Sequence, residues 1–296
     1  MLMNKIDENF KIEIPELNHL IKLLDDEDEE IYKNIRKRFL MYGEESKNFL
    51  TEYINSEDQI IAERSKEIIS LLNFKLLENK IRELFLNKRN LLERAVFLIS
   101  SYGYPNVDFE NYKMIIDKMA NDIVSRIEQK STKSITSLEK INIINDYLFR
   151  KKGFKGNTEN YYDTDNSYIN KVIDKKTGIP ISLSILYLLI AKRINLPLFG
   201  INLPSHFIIK FQDDKEEFFI DPFNEGIVIS RKEAIKFLKQ LGVSEKDFDS
   251  ISFLNNASER DIIKRFINNL INVYEKNNEK LKVEQLNQLQ SHFELI

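Results

Sequence analysis

The stretch Ser205-His206-Phe207-Ile208-Ile209-Lys210-Phe211-Gln212, followed by Asp213-Asp214-Lys215 and then Glu216-Glu217-Phe218-Phe219-Ile220-Asp221, reads as two strands joined by a tight turn. Pairing through a two-residue turn at Asp213-Asp214 puts His206 opposite Asp221, Phe207 opposite Ile220, Ile209 opposite Phe218 and Lys210 opposite Glu217. Opposed residues in such a ladder have Cβ atoms roughly 5 Å apart on one face of the sheet. A carboxylate holding an imidazole there is two-thirds of a nucleophilic triad. The reading therefore turns on whether the chain supplies a third member.

Composition narrows the search. The chain has 296 residues, enough for one large core or two smaller domains, with 42% hydrophobic and 31% charged residues. A net charge of −3 and a pI near 5.9 argue against a nucleic-acid partner, because no basic stripe is present to neutralise several phosphates. Cysteine is absent, which removes disulfides, zinc-thiolate sites, iron–sulfur clusters and any cysteine nucleophile. The first residues carry no apolar signal segment. The longest apolar stretch, Ile179 to Ala191, is interrupted by Ser182 and Ser184 and falls short of the ~20 residues a bilayer requires. No membrane partner is expected, and a cytoplasmic location is.

Periodicity organises the rest into helices, a small sheet and more helices, an α+β pattern. Leu17, Leu20, Ile21 and Leu24 have helical spacing, and the acidic run from Asp25 reads as a solvated helix start. Ile31, Ile35, Phe39 and Leu40 mark a second helix stopped at Gly43, Phe49, Leu50 and Tyr53 a third, and Ile60, Ile61, Ile68 and Leu72 a fourth. Two helix pairs with a period of roughly 30 residues make residues 1–89 a HEAT-like segment. Apolar helices are expected from Leu91 and from Phe109. Thr136 to Glu139 is a capping box opening a helix to Phe149. A polar loop over 156–167 precedes a short helix from Tyr168. Pro180 to Ile194 reads as a buried helix with proline at its first position. Strands are expected over 196–203, 206–212, 216–221 and 227–229. Ser230 and Ser258 cap two later helices, and Leu281, Leu286 and Leu289 mark a last one.

The run Gly178-Ile179-Pro180-Ile181-Ser182-Leu183-Ser184-Ile185-Leu186-Tyr187, with Leu203-Pro204-Ser205-His206-Phe207 and Asp221-Pro222-Phe223, resembles the SirB-type branch of the transglutaminase-like superfamily. Gly153 to Asn157 and Tyr161-Tyr162-Asp163-Thr164-Asp165-Asn166-Ser167 add to the match, which covers roughly residues 15 to 275. The resemblance implies a papain/transglutaminase-like core over 90–250, with a central helix presenting a nucleophile against a small antiparallel sheet. It also implies a tetratricopeptide-like helical pair over 251–296. In that family the nucleophile is a cysteine at the start of the central helix. Counting fifteen residues back from Asn195 places Pro180 there, and proline has no nucleophilic atom.

His206 and Asp221 thus match the catalytic pair while the third position is lost. Ser182 lies about 200° around the helix from Pro180, and Ser184, the weak candidate, lies within about 40° of the right face but roughly 6 Å deeper. Tyr161, Tyr162, Asn166, Gly178 and Pro180 are the expected lining of a binding cleft. Asp163, Asp165 and Ser167 have the 1-3-5 spacing of a calcium loop, but Tyr168 and Asp174 replace its glycine and glutamate. No metal is expected there, only Asx turns and a helix cap at Ser167. Neither a Walker-type nor a dinucleotide-binding glycine motif is present, so no cofactor is expected. The expectation is a non-catalytic interaction or assembly module with a protein or peptide partner. The alternative is a residual hydrolase or acyl-transfer enzyme using His206 and Asp221 with a serine or water.

Overall fold

The computed structural model describes residues 14–86, 89–130, 135–240 and 251–294. The chain divides into two compact units, Met1–Asn79 and Lys80–Ile296.

In the first unit α1 (Ile14–Ile21), α2 (Glu29–Tyr42), α3 (Glu44–Thr51) and the larger part of α4 (Gln59–Leu86), which runs on into the second, follow the apolar spacing. Asp28 caps α2 by accepting from the backbone of Glu30 and Ile31. Leu17, Leu20, Leu24, Ile35, Phe39, Leu50, Ile68 and Leu72 fill one shared core.

The second unit begins with α5 (Leu91–Gly103), α6 (Phe109–Lys130) and α7 (Ser137–Asn145), the last opened by the Thr136–Glu139 capping box. A π-helical turn, Asp146–Lys151, continues α7. Next come β1 (Lys155–Gly156), a 3-10 turn (Thr164–Asn166), α8 (Ile169–Lys175) and β2 (Thr177–Gly178), with β1 and β2 pairing in parallel. Every residue of α9 (Pro180–Arg193) from Pro180 to Ala191 is buried, as a helix apolar all round but for Ser182 and Ser184 requires.

The antiparallel sheet that follows has the order β3 (Leu198–Leu203), β4 (His206–Gln212), β5 (Glu217–Asp221) and β6 (Ile227–Ile229). One face carries Ile201, Leu203, Ile208 and Phe219, which pack on Ala234 and Leu238 of α10 (Arg231–Gln240) and on Leu254. On the other face Gly200 permits close approach: a Cβ there would lie 2.6 Å from Phe207 and 3.0 Å from Ile262 of α11 (Glu259–Lys276). α11 and α12 (Lys280–Ser291) belong to this same unit. They are tied in by Tyr274 with Tyr168 (hydroxyls 2.8 Å apart) and by Tyr102 donating to Gln285 (2.6 Å).

Two local expectations are corrected. The β4–β5 ladder pairs Ile209 with Ile220, Lys210 with Phe219 and Phe211 with Phe218, two residues away from the expected register. The cause is the turn, which sits one residue later. The Asp213 carboxylate accepts from the backbone of Lys215 (2.8 Å) and Glu216 (2.9 Å), and Asp213 itself pairs with Glu216. The shift is even, so every side chain keeps its face. Ser167, expected as a helix cap, does not cap α8. Its hydroxyl is buried without a hydrogen bond, and Tyr168 stands at the N-cap.

Candidate functional site

His206 opens β4 and Asp221 closes β5, and the two meet diagonally rather than directly. His206 Nε2 lies 2.8 Å from Asp221 Oδ2, with both side chains largely buried. Asp221 also accepts from the backbone of Phe223 (3.1 Å) and Asn224 (3.4 Å), and its Oδ2 accepts from the Asn224 amide at 2.7 Å. Burial alone would raise this carboxyl. The bonds from His206 and Asn224 outweigh it and hold Asp221 below the usual carboxylate range. An ionised Asp221 can only accept, so Nε2 carries the hydrogen of this bond. The arrangement orients an imidazole as a base would be oriented.

The turn that carries Asp221 is itself braced. Gly226 N donates to Asp221 O at 2.8 Å, and Asn145 Nδ2 donates to Gly226 O at 2.6 Å. The Tyr187 hydroxyl of α9 in turn donates to Asn145 Oδ1 at 3.0 Å. Gly226 adopts φ of +73°, and a Cβ there would fall 2.3 Å from Asn145 Oδ1, so glycine is required on both counts. Asn145, Asn224 and Gly226 were not singled out from sequence. Asn224 was discoverable as a capping residue three positions after Asp221, whereas Asn145 is 81 positions from its partner.

At the start of α9, Pro180 is buried at the first helical position. Ser182 is fully engaged: its Oγ accepts from Ile179 N at 3.1 Å and donates to Asn166 O at 2.6 Å. Ser184 Oγ is buried and makes no hydrogen bond, so it is not paired with the imidazole. Asn166 is also buried. Its side chain donates to Asn160 O (2.7 Å) and Tyr161 O (3.3 Å) and accepts from Asn157 (3.0 Å), clamping the 157–166 loop beside α9. Gly178 O accepts from Asn157 N at 3.0 Å, and a Cβ on Gly178 would meet Ser182 Oγ at 2.8 Å.

Phe223 joins the parts. Its ring lies edge-on to His206 (6.2 Å between centroids) and to Tyr161 (6.2 Å), and Tyr161 is edge-on to Tyr162 (5.2 Å). A Cβ on Gly156 would meet that Phe223 ring at 2.7 Å. Tyr162 is exposed, with Lys276 Nζ 3.1 Å from its ring centroid. The structure thus links His206, Asp221 and Tyr161 through Phe223. Asp163 and Asp165 are engaged elsewhere: Asp165 bonds Tyr104 and pairs with Lys175 at 2.5 Å, and Asp163 caps the 3-10 turn. Among the described residues no cluster of His, Asp and Glu has the makings of a metal site.

A sequence profile of the Transglutaminase-like superfamily matches residues 110–268, more than half of the chain and all of the site. A UPF0162 protein of Xylella fastidiosa (strain 9a5c) is 32% identical over 189 residues, covering 63% of this chain and 66% of that protein. Another, from the Temecula1 strain, is 32% identical over 185 residues, 62% of this chain and 64% of its own length. The chain therefore spans just under two-thirds of these curated relatives. F-box only protein 21 of Mus musculus is 30% identical over 138 residues, 45% of this chain but 21% of the longer protein. No solved structure matches the chain. The central buried helix, the small antiparallel sheet with its His–Asp pair, and the profile match together establish that the chain belongs to the transglutaminase-like superfamily.

Proposed function

We propose that this chain is a non-catalytic, SirB-type member of its superfamily, acting in the cytoplasm as an interaction or assembly module for a protein or peptide partner. The observation that carries this reading is Pro180. It stands at the first position of α9, where the family resemblance puts the nucleophile, and its side chain has no atom able to attack a carbonyl. The serines nearby do not substitute. Ser182 is committed to Asn166 and Ile179, and Ser184 is buried without a bond to the imidazole.

His206, Asp221, Tyr161 and Tyr162 would then mark a surface for binding a partner chain, in a sequence that also carries the HEAT-like segment over 1–89 and the tetratricopeptide-like pair over 251–296. The mammalian relative, in which the matching segment belongs to a much longer protein, supports use of this core as a module. The retained His206–Asp221 pair favours one second reading, a residual hydrolase in which the imidazole activates water.

Affinity capture from native lysate, comparing wild type with a His206→Ala/Asp221→Asn variant of verified fold, tests the proposal. Loss of a specific partner in the variant supports it. Identical captured proteins from both would overturn a binding role for this site.

A further inference from the structure

A lysine sits where the sheet's own chemistry calls for a hydrocarbon. Lys210 is on β4, one of the two inner strands, on the face it shares with Ile208 and, across the ladder, Phe219. It is only 5% exposed. Its ammonium has three N–H donors but, among the described residues, makes one hydrogen bond, to Leu254 O at 3.2 Å, with Glu217 Oε2 more distant at 3.8 Å. Glu217 is also claimed by Arg231, Nη1 to Oε1 at 2.9 Å. Two cations therefore share one carboxylate.

These groups line a cavity of about 520 Å³ together with the side chains of Gln212, Asn255 and Asn256. Burial pushes the Lys210 ammonium below the usual lysine range, Glu217 opposes that, and Arg231 adds to it. Replacing a buried ion of this kind by a packed apolar side chain is often neutral or stabilising.

We propose that the cavity beside β4 is a binding site for a small carboxylate ligand. Its carboxylate would take up the free donors of Lys210 and the open side of the Arg231 guanidinium, while Gln212, Asn255 and Asn256 would orient the remainder through their amides. One added negative charge balances the two cations and Glu217, and it takes up the ammonium donors that the described residues leave unused. The site is separate from the His206–Asp221 pair and does not depend on the reading of that pair.

The test is calorimetric titration of the full chain with acetate, succinate and L-glutamate at matched ionic strength, with inorganic phosphate as the competing anion. Saturable binding of at least one carboxylate is expected. Lys210→Met should abolish it, Arg231→Gln should weaken it roughly tenfold or more, and His206→Ala should leave it unchanged. Lys210→Met is expected to fold at least as well as wild type, because it replaces a buried cation by a side chain of similar length. A melting curve checks that point. Absence of saturable carboxylate binding, preference for phosphate, or equal binding by folded Lys210→Met would each overturn the proposal.

Discussion

Removing the Asp221 carboxylate tests how the site is held. The carboxylate accepts four bonds, of which those from His206 (2.8 Å) and Asn224 Nδ2 (2.7 Å) are short. The backbone bonds from Phe223 and Asn224 are longer, at 3.1 and 3.4 Å. Hydrogen bonds to a charged group contribute about 1.5–3 kcal/mol each; counting only the two short ones at that strength, Asp221→Ala should cost about 3–6 kcal/mol. For a unit of this size, that predicts a fall in melting temperature on the order of 10 °C. Asp221→Asn should cost about 1 kcal/mol, because Asn224 can turn its amide and His206 can switch tautomer to accept.

The effect should also depend on pH. Asp221 is held below its unfolded value of about 3.9. Its contribution is therefore fully present above that value and is lost as pH falls through the lower, folded one. Thermal melts of wild type and Asp221→Asn between pH 7 and pH 2 should accordingly converge at the acid end. An Asp221→Ala variant melting within about 1 kcal/mol of wild type, or a wild-type advantage that grows as pH falls, would refute the reasoning.

Three further outcomes follow from the same contacts. Pro180→Cys would give a protein with a single thiol, since the chain has no other cysteine, at the helix N-terminus where the family resemblance puts the nucleophile. Its alkylation by iodoacetamide at neutral pH should fall about tenfold or more when His206→Ala is added, if the imidazole lowers the thiol pKa. Gly226→Ala should destabilise by about 2–4 kcal/mol in denaturant titration, from positive-φ strain plus displacement of Asn145. Arg193→Met should cost about 2–3 kcal/mol by melting, because Glu93, 2.5 Å from the guanidinium and 13% exposed, loses its partner. Adding Glu93→Gln should recover part of that loss.

Much of the architecture could be read from local pattern. The capping boxes at Thr136 and Ser258, proline at the start of α9 and the strand at 206–212 all depend on residues within a few positions of one another. The hairpin register could not be read as well, because period-two alternation fixes only which face a residue takes. A slip of two residues preserves that face, so the meeting of His206 with Asp221 survived a turn placed one residue too early. The Asx bond of Asp213, which sets the true turn, competes with an equally plausible one at Asp214. The Asn145–Gly226 bond left no local signal at all, since it joins residues 81 positions apart. Lys210 likewise reads as an ordinary strand residue until its burial is seen.

The claim that this site binds rather than turns over a substrate is tested most directly by assaying purified wild type for amidase, peptidase and transamidase activity beside His206→Ala. The account predicts that both proteins give the same background rate. Activity in the wild type that His206→Ala abolishes would contradict it.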